Sequence, residues 1–144
     1  MGLICVSAHK RILARDLPCQ RCERSRQKQK ILLVDDDVDS TEALAELLSR
    51  EGYAVACAEN GREALDYLAH SKPPCLIILD LIMPVMSGWE FRQRQTSDPK
   101  LKSLPVVIVS ATGPTKGLHA NAVLQKPVDF RDLMHVVREN CLPA

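Results

Sequence analysis

The chain has 144 residues, 46% of them apolar and 26% charged, with a formal net charge of +1. That suits one globular domain with a single core and argues against a disordered or fibrous protein. No apolar stretch is long enough for a membrane span and no secretory leader is read at the start, so a cytoplasmic protein is expected.

The charge is unevenly spread. Residues 1–30 hold eight Lys/Arg and two Asp/Glu, a balance of +6, whereas residues 31–144 hold eleven and sixteen, a balance of −5. Residues 1–28 show no clean period. They read as a basic, flexible N-terminal arm or a marginal helix ending at Pro18, with the folded domain over 29–142. Nothing in the folded part suggests a nucleic-acid footprint.

From Lys30 onward, strand and helix signals alternate. Ile31–Val34 is a continuous apolar run, as expected of a strand buried on both faces. Asp39 and Ser40 then offer caps for a helix whose Leu44, Leu47 and Leu48 share a face, and Gly52 ends it. Tyr53–Ala58 reads as a second strand, and Asn60-Gly61 opens a helix carrying Ala64, Leu65 and Leu68. Lys72-Pro73-Pro74 breaks the chain before a third strand, Cys75–Leu79. A loop holds Met83-Pro84 and Ser87-Gly88, and a short helix runs from Trp89 to about Gln95. Pro105–Val109 is the fourth strand, Ala122–Gln125 a weak fifth, and Asp129 caps a last helix burying Leu133, Val136 and Val137. Alternating strands and helices imply a parallel sheet covered on both faces, with strand order 2-1-3-4-5 and a switch point between the first and third strands.

In such a sheet all strands end on one edge, where open α/β sheets bind ligands. Asp35 and Asp36 close the first strand, Asp80 the third and Ser110 the fourth, and Lys126 follows the fifth. Three carboxylates crowded together repel, and a divalent cation relieves the conflict. An all-oxygen set suits Mg²⁺ rather than zinc, which wants sulfur or imidazole. A carboxylate beside Mg²⁺ can act as a nucleophile toward phosphorus. Asp80, central by strand order, is the candidate nucleophile. Asp35 and Asp36 would hold the metal, Lys126 would pair with a phosphoryl oxygen, and Ser110 would donate to another.

The stretches ILLVDDD, LIILDLIMPVMSG, PVVIVSA and LQKP, in that order, resemble the four motifs of response regulator receiver domains, over roughly residues 29–142. The resemblance implies a flavodoxin-like doubly wound five-stranded fold. It implies Asp80 as phosphoacceptor, Asp35 and Asp36 as the acidic pair, and the Ile82 backbone carbonyl as a further Mg²⁺ ligand. Ser110 becomes the switch hydroxyl, Lys126 the phosphoryl-pairing lysine before a proline that is often cis, and Gly88 the turn after the site loop. The implied partner is a histidine kinase or histidine phosphotransfer protein. Phosphotransfer to Asp80 and slow self-hydrolysis follow, rather than enzymatic turnover. Ending at Ala144, the chain is expected to stand alone and to act through protein contacts, as a monomer or weak dimer.

Two departures stand out. Val123 occupies the position where the family usually has Tyr or Phe, so a coupled aromatic swing is not expected. Only fifteen residues separate Ser110 from Lys126, and they include Gly113, Pro114 and Gly117, so the fourth helix of the family is expected to be short or missing. A haloacid-dehalogenase-like phosphohydrolase would place a second acid where this chain has Ile82. A degenerate receiver acting only as a binding module is the other alternative. The six cysteines are read as thiols. Cys57 and Cys75 fall in apolar runs as small hydrophobes, and Cys19-x-x-Cys22 lacks a second pair. His70, His119 and His135 are read as surface residues, and Trp89 as a packing residue.

Overall fold

The computed structural model describes residues 28–111 and 118–141. The basic arm, with Cys5, Cys19 and Cys22, lies outside them. The described residues form nine elements. They are β1 (Lys30–Val34), α1 (Val38–Arg50), β2 (Ala54–Ala58), α2 (Gly61–His70), β3 (Leu76–Asp80), α3 (Gly88–Ser97), β4 (Val106–Ser110), β5 (Ala122–Gln125) and α4 (Phe130–Asn140). All four strand pairings are parallel, and the order is β2-β1-β3-β4-β5, as the sequence pattern implies. The fold is the flavodoxin-like doubly wound sheet.

The central strands β3 and β4 are buried at every residue, because helices cover both faces. Alternate side chains therefore feed two cores. One holds Ile31, Leu33, Ile78 and Val107 against Leu48 of α1 and Leu133 and Val137 of α4. The other holds Leu32, Ile77, Leu79 and Ile108 against Ala64 and Leu68 of α2 and Phe91 of α3.

Helix ends follow the local chemistry, with one shift. α1 is capped by Asp37, whose carboxylate accepts from the Ser40 N–H at 3.3 Å, rather than by Asp39 or Ser40. The Ser40 hydroxyl donates to the same carboxylate at 2.8 Å, and together these bonds hold the Asp37 carboxyl below its ordinary range. Asn60 and Asp129 cap α2 and α4 as expected. Leu48 of α1 is buried, but Leu47 stays 38% exposed, so the expected shared face is only partly covered.

Between β4 and β5, Ala111 and residues 118–121 are non-helical, and residues 112–117 lie outside the described residues. Buried side chains of α3 anchor this connection. The Arg92 guanidinium donates from Nε at 2.8 Å, and from Nη2, to the His119 carbonyl, and from Nη1 to Gln95 Oε1 at 2.7 Å. Gln95, fully buried, donates to the carbonyls of Leu101 and Leu104 at 3.0 and 3.2 Å. The network satisfies polar groups on a helix whose sequence shows little apolar periodicity.

The cysteines depart from expectation. Cys75 and Cys141 form a disulfide, with Cα atoms 5.3 Å apart. Cys75 precedes β3 and Cys141 caps the end of α4, so the fold brings both to the same end of the sheet at bridging distance. The partners are 66 residues apart in sequence, and neither sits in a recognisable cysteine motif. Cys57 is free and exposed. No described helix is long and apolar enough to cross a membrane.

Candidate functional site

The site lies at the C-terminal edge of the sheet, over the switch point between β1 and β3. Asp35 and Asp36 directly follow β1. The Asp35 N–H donates to the Ala58 carbonyl at 3.0 Å, and its carboxylate accepts from the Asp37 N–H at 3.0 Å. Asp80 is the last residue of β3 and is 8% exposed. Carboxylate oxygens of Asp35, Asp36 and Asp80 lie within 4.8 Å of one another.

Lys126 comes from the far side of the sheet. Its backbone N–H donates to the Ser110 carbonyl at 2.9 Å, fixing the chain after β5 beside the end of β4. The peptide bond to Pro127 is cis. The ammonium Nζ donates to Asp35 Oδ2 at 3.1 Å and lies 3.6 Å from Asp80 Oδ2. Ser110 ends β4 and is buried. All five sequence-selected side chains thus belong to the same edge, four of them in one charged cluster. Ile82, two residues past Asp80, exposes 58% of its surface, so its apolar side chain packs little.

Electrostatics at the cluster are unbalanced. Burial raises the Asp80 pKa, the charge of Asp35 raises it further, and Lys126 offsets only part of this. Burial works against the Lys126 ammonium, but the hydrogen bond and charge of Asp35, with Asp80, outweigh it and hold its pKa above the ordinary lysine value. Among the described residues, Lys126 pairs with two of the three clustered carboxyl groups, Asp35 and Asp80. The ligand atoms are oxygens on an open edge, a set that fits a hard divalent cation keeping part of its water shell. Among the described residues, neither sulfur nor imidazole joins the cluster.

The loop after Asp80 is held tightly. The Gly88 N–H donates to the Leu81 carbonyl at 2.9 Å, and a Cβ on Gly88 would lie 2.7 Å from Leu81 Cα and still closer to the Asp80 carbonyl oxygen. Only glycine fits there. Val85 adopts φ 67°, a left-handed conformation that a β-branched residue rarely takes, and is 75% exposed. Nothing in the sequence singles out Val85, since a left-handed backbone is signalled by Gly or Asn and neither is present. The Arg92–Gln95–His119 network is equally hidden, because a buried arginine on a polar helix looks like surface from sequence alone.

Fold and cluster together define an open α/β protein with an acidic pocket at its switch point. The chain belongs to the response regulator receiver domain family, whose model matches residues 31–138. It is 38% identical over 115 residues to response regulator Rre1 of Synechocystis, with 75% of this chain and 49% of that protein covered. Protein PilH of Pseudomonas aeruginosa is 30% identical over 116 residues, with 75% of this chain and 93% of that protein covered. The chemotaxis response regulator CheY4 of Vibrio cholerae superposes with a TM-score of 0.71 at 28% identity, covering 79% of this chain and 99% of that one. The chain spans about half the length of several of its relatives, Rre1 among them. It is thus a receiver domain of a response regulator in two-component signalling.

Proposed function

We propose that this receiver accepts a phosphoryl group on Asp80 from a phosphohistidine of a histidine kinase or phosphotransfer protein. Asp35, Asp36 and the Ile82 carbonyl would hold Mg²⁺ with Asp80. The observation that carries the reading is the convergence of three carboxylates within 4.8 Å, two of them paired with the Lys126 ammonium. Bound Mg²⁺ would neutralise charge on the phosphoryl oxygens. Lys126 then pairs with one of those oxygens and Ser110 donates to another. A nucleophilic Asp80 must be ionised, and burial with Asp35 works against that. A divalent cation held there would favour the ionised carboxylate.

Ile82 leaves the position two residues past the nucleophile without an acid. Hydrolytic turnover of a phosphohydrolase kind therefore lacks its general acid, and the reading is a signalling module rather than an enzyme. In this reading the domain works in the cytoplasm as a monomer or weak dimer, residues 29–142 form the receiver, and the signal leaves through protein contacts without nucleic acid or membrane. Acetyl phosphate with Mg²⁺ should add one phosphoryl group to the protein by intact mass, and Asp80→Asn should abolish the addition. Equal labelling of the variant would overturn the assignment.

A further inference from the structure

A hollow of about 270 Å³ opens at the N-terminal end of the sheet, opposite the acidic cluster. Lys28 and Lys30 form one side, at the entry to β1, and Lys72, Pro73, Pro74 and Cys75 the other, at the entry to β3. The Cys75 N–H donates to the Lys30 carbonyl at 2.7 Å, which joins the two sides. Proline fixes φ, so Pro73-Pro74 makes a stiff wall. No carboxylate lines the hollow, and among the described residues none pairs with Lys28, Lys30 or Lys72. The Lys30 ammonium lies 5.7 Å from the centre of the Tyr67 ring, and Lys28 and Lys72 are exposed. The hollow is a cationic recess with one half of a disulfide in its wall.

We propose that this recess binds a small anionic thiol peptide, of the glutathione class, and that the bound thiol opens the Cys75–Cys141 bridge. Two carboxylates and a thiolate on one small molecule suit a recess of three lysines. The cytoplasmic setting proposed above, on which the choice of occupant rests, supplies such thiols and makes disulfides mostly transient. The thiolate sulfur attacks Cys75, which is half-buried and lines the recess, rather than Cys141, which is 4% exposed and lies outside the lining. The bond between the Cys75 and Cys141 sulfurs breaks as the new S–S bond forms. Cys141 leaves as a thiolate and takes the proton that the peptide gave up. A second peptide thiolate then attacks the peptide sulfur of the mixed disulfide. Cys75 is released and takes the second proton, and the oxidised peptide dimer departs. Two peptide thiols lose two electrons and the bridge gains them. Opening the bridge unties the end of α4 from the start of β3.

The oxidised full chain is opened by glutathione or by uncharged mercaptoethanol, quenched with acid at early times and read by peptide mass spectrometry. Lys28→Glu with Lys72→Glu alters exposed side chains only, so that variant keeps its core. Losing two surface attractions and gaining two repulsions should slow opening by glutathione about tenfold, and opening by mercaptoethanol by less than about threefold. The first adduct should sit on Cys75. Rates that fall equally for both thiols, or for neither, would overturn the proposal, and so would a first adduct on Cys141. Labelling of Asp80 by acetyl phosphate is a separate measurement at the other end of the sheet, so either reading can fail without the other.

Discussion

The two ends of the sheet are built on opposite principles. At the C-terminal edge, three carboxyl groups crowd together, two of them pair with Lys126, and the most buried has its pKa raised by burial and by a like charge. At the N-terminal end, Cys75 and Cys141 bridge the start of β3 to the end of α4. One end holds electrostatic conflict and the other a covalent tie, and β3 runs between them. Like charges gathered at one edge cost stability, and the rest of the fold must offset that cost.

The largest break in that comparison comes from removing the tie. Reducing Cys75–Cys141 frees a chain segment with a sequence separation of 66, which the loop-entropy relation equates to about 4 kcal/mol of stability. Urea unfolding with and without a dithiol reductant measures it, and an unchanged midpoint would show that the bridge does not hold the fold. Next in size is Gly88→Ala at the acidic end, where the new Cβ meets the backbone of Asp80 and Leu81. Overpacking against backbone costs on the order of 2–3 kcal/mol, and thermal unfolding reports it.

Asp80→Asn should act in the opposite direction. It removes a buried charge from a repulsive cluster and should raise stability by about 1 kcal/mol in the absence of divalent cations. Mg²⁺ should stabilise the wild type and leave the variant nearly unmoved. A destabilised variant would mean that the Lys126 contact outweighs the repulsion. The smallest effect is its pH dependence. Because the folded Asp80 has a raised pKa, the folded state holds that proton more tightly, and the group's contribution falls as pH rises through its folded value. The gain in the variant should therefore vanish in acid, below an unfolded aspartate value of about 3.9, and grow toward neutrality. Lys126 works at the other extreme. Its contribution is full below an unfolded lysine value of about 10.4 and is lost as pH rises through its raised folded value.

Much of the fold was legible because burial on both faces writes strands as unbroken apolar runs. Ile31–Val34 and Val106–Val109 could hardly be anything else. Parallel topology then sends Asp35, Asp36, Asp80, Ser110 and Lys126 to one edge without further information. The parts that stayed hidden depend on distances between residues remote in sequence. Cys75 reads as a small hydrophobe until the end of α4 arrives beside it. Arg92 reads as surface until His119 offers its carbonyl. Leu47 follows the helical period of a core residue, yet α1 and α4 leave it half open, because periodicity fixes a face and not what covers it. Asp37 rather than Asp39 caps α1, a shift within the usual margin of helix boundaries.

The most direct test of the acidic pocket is an amide spectrum of the full chain in Mg²⁺ and beryllofluoride, a mimic of the bound phosphoryl group. Phosphoryl acceptance at Asp80 predicts shifts centred on Asp35, Asp80, Ser110 and Lys126 that disappear without Mg²⁺ and in Asp80→Asn. The same shifts in the variant, or none in the wild type, would contradict it.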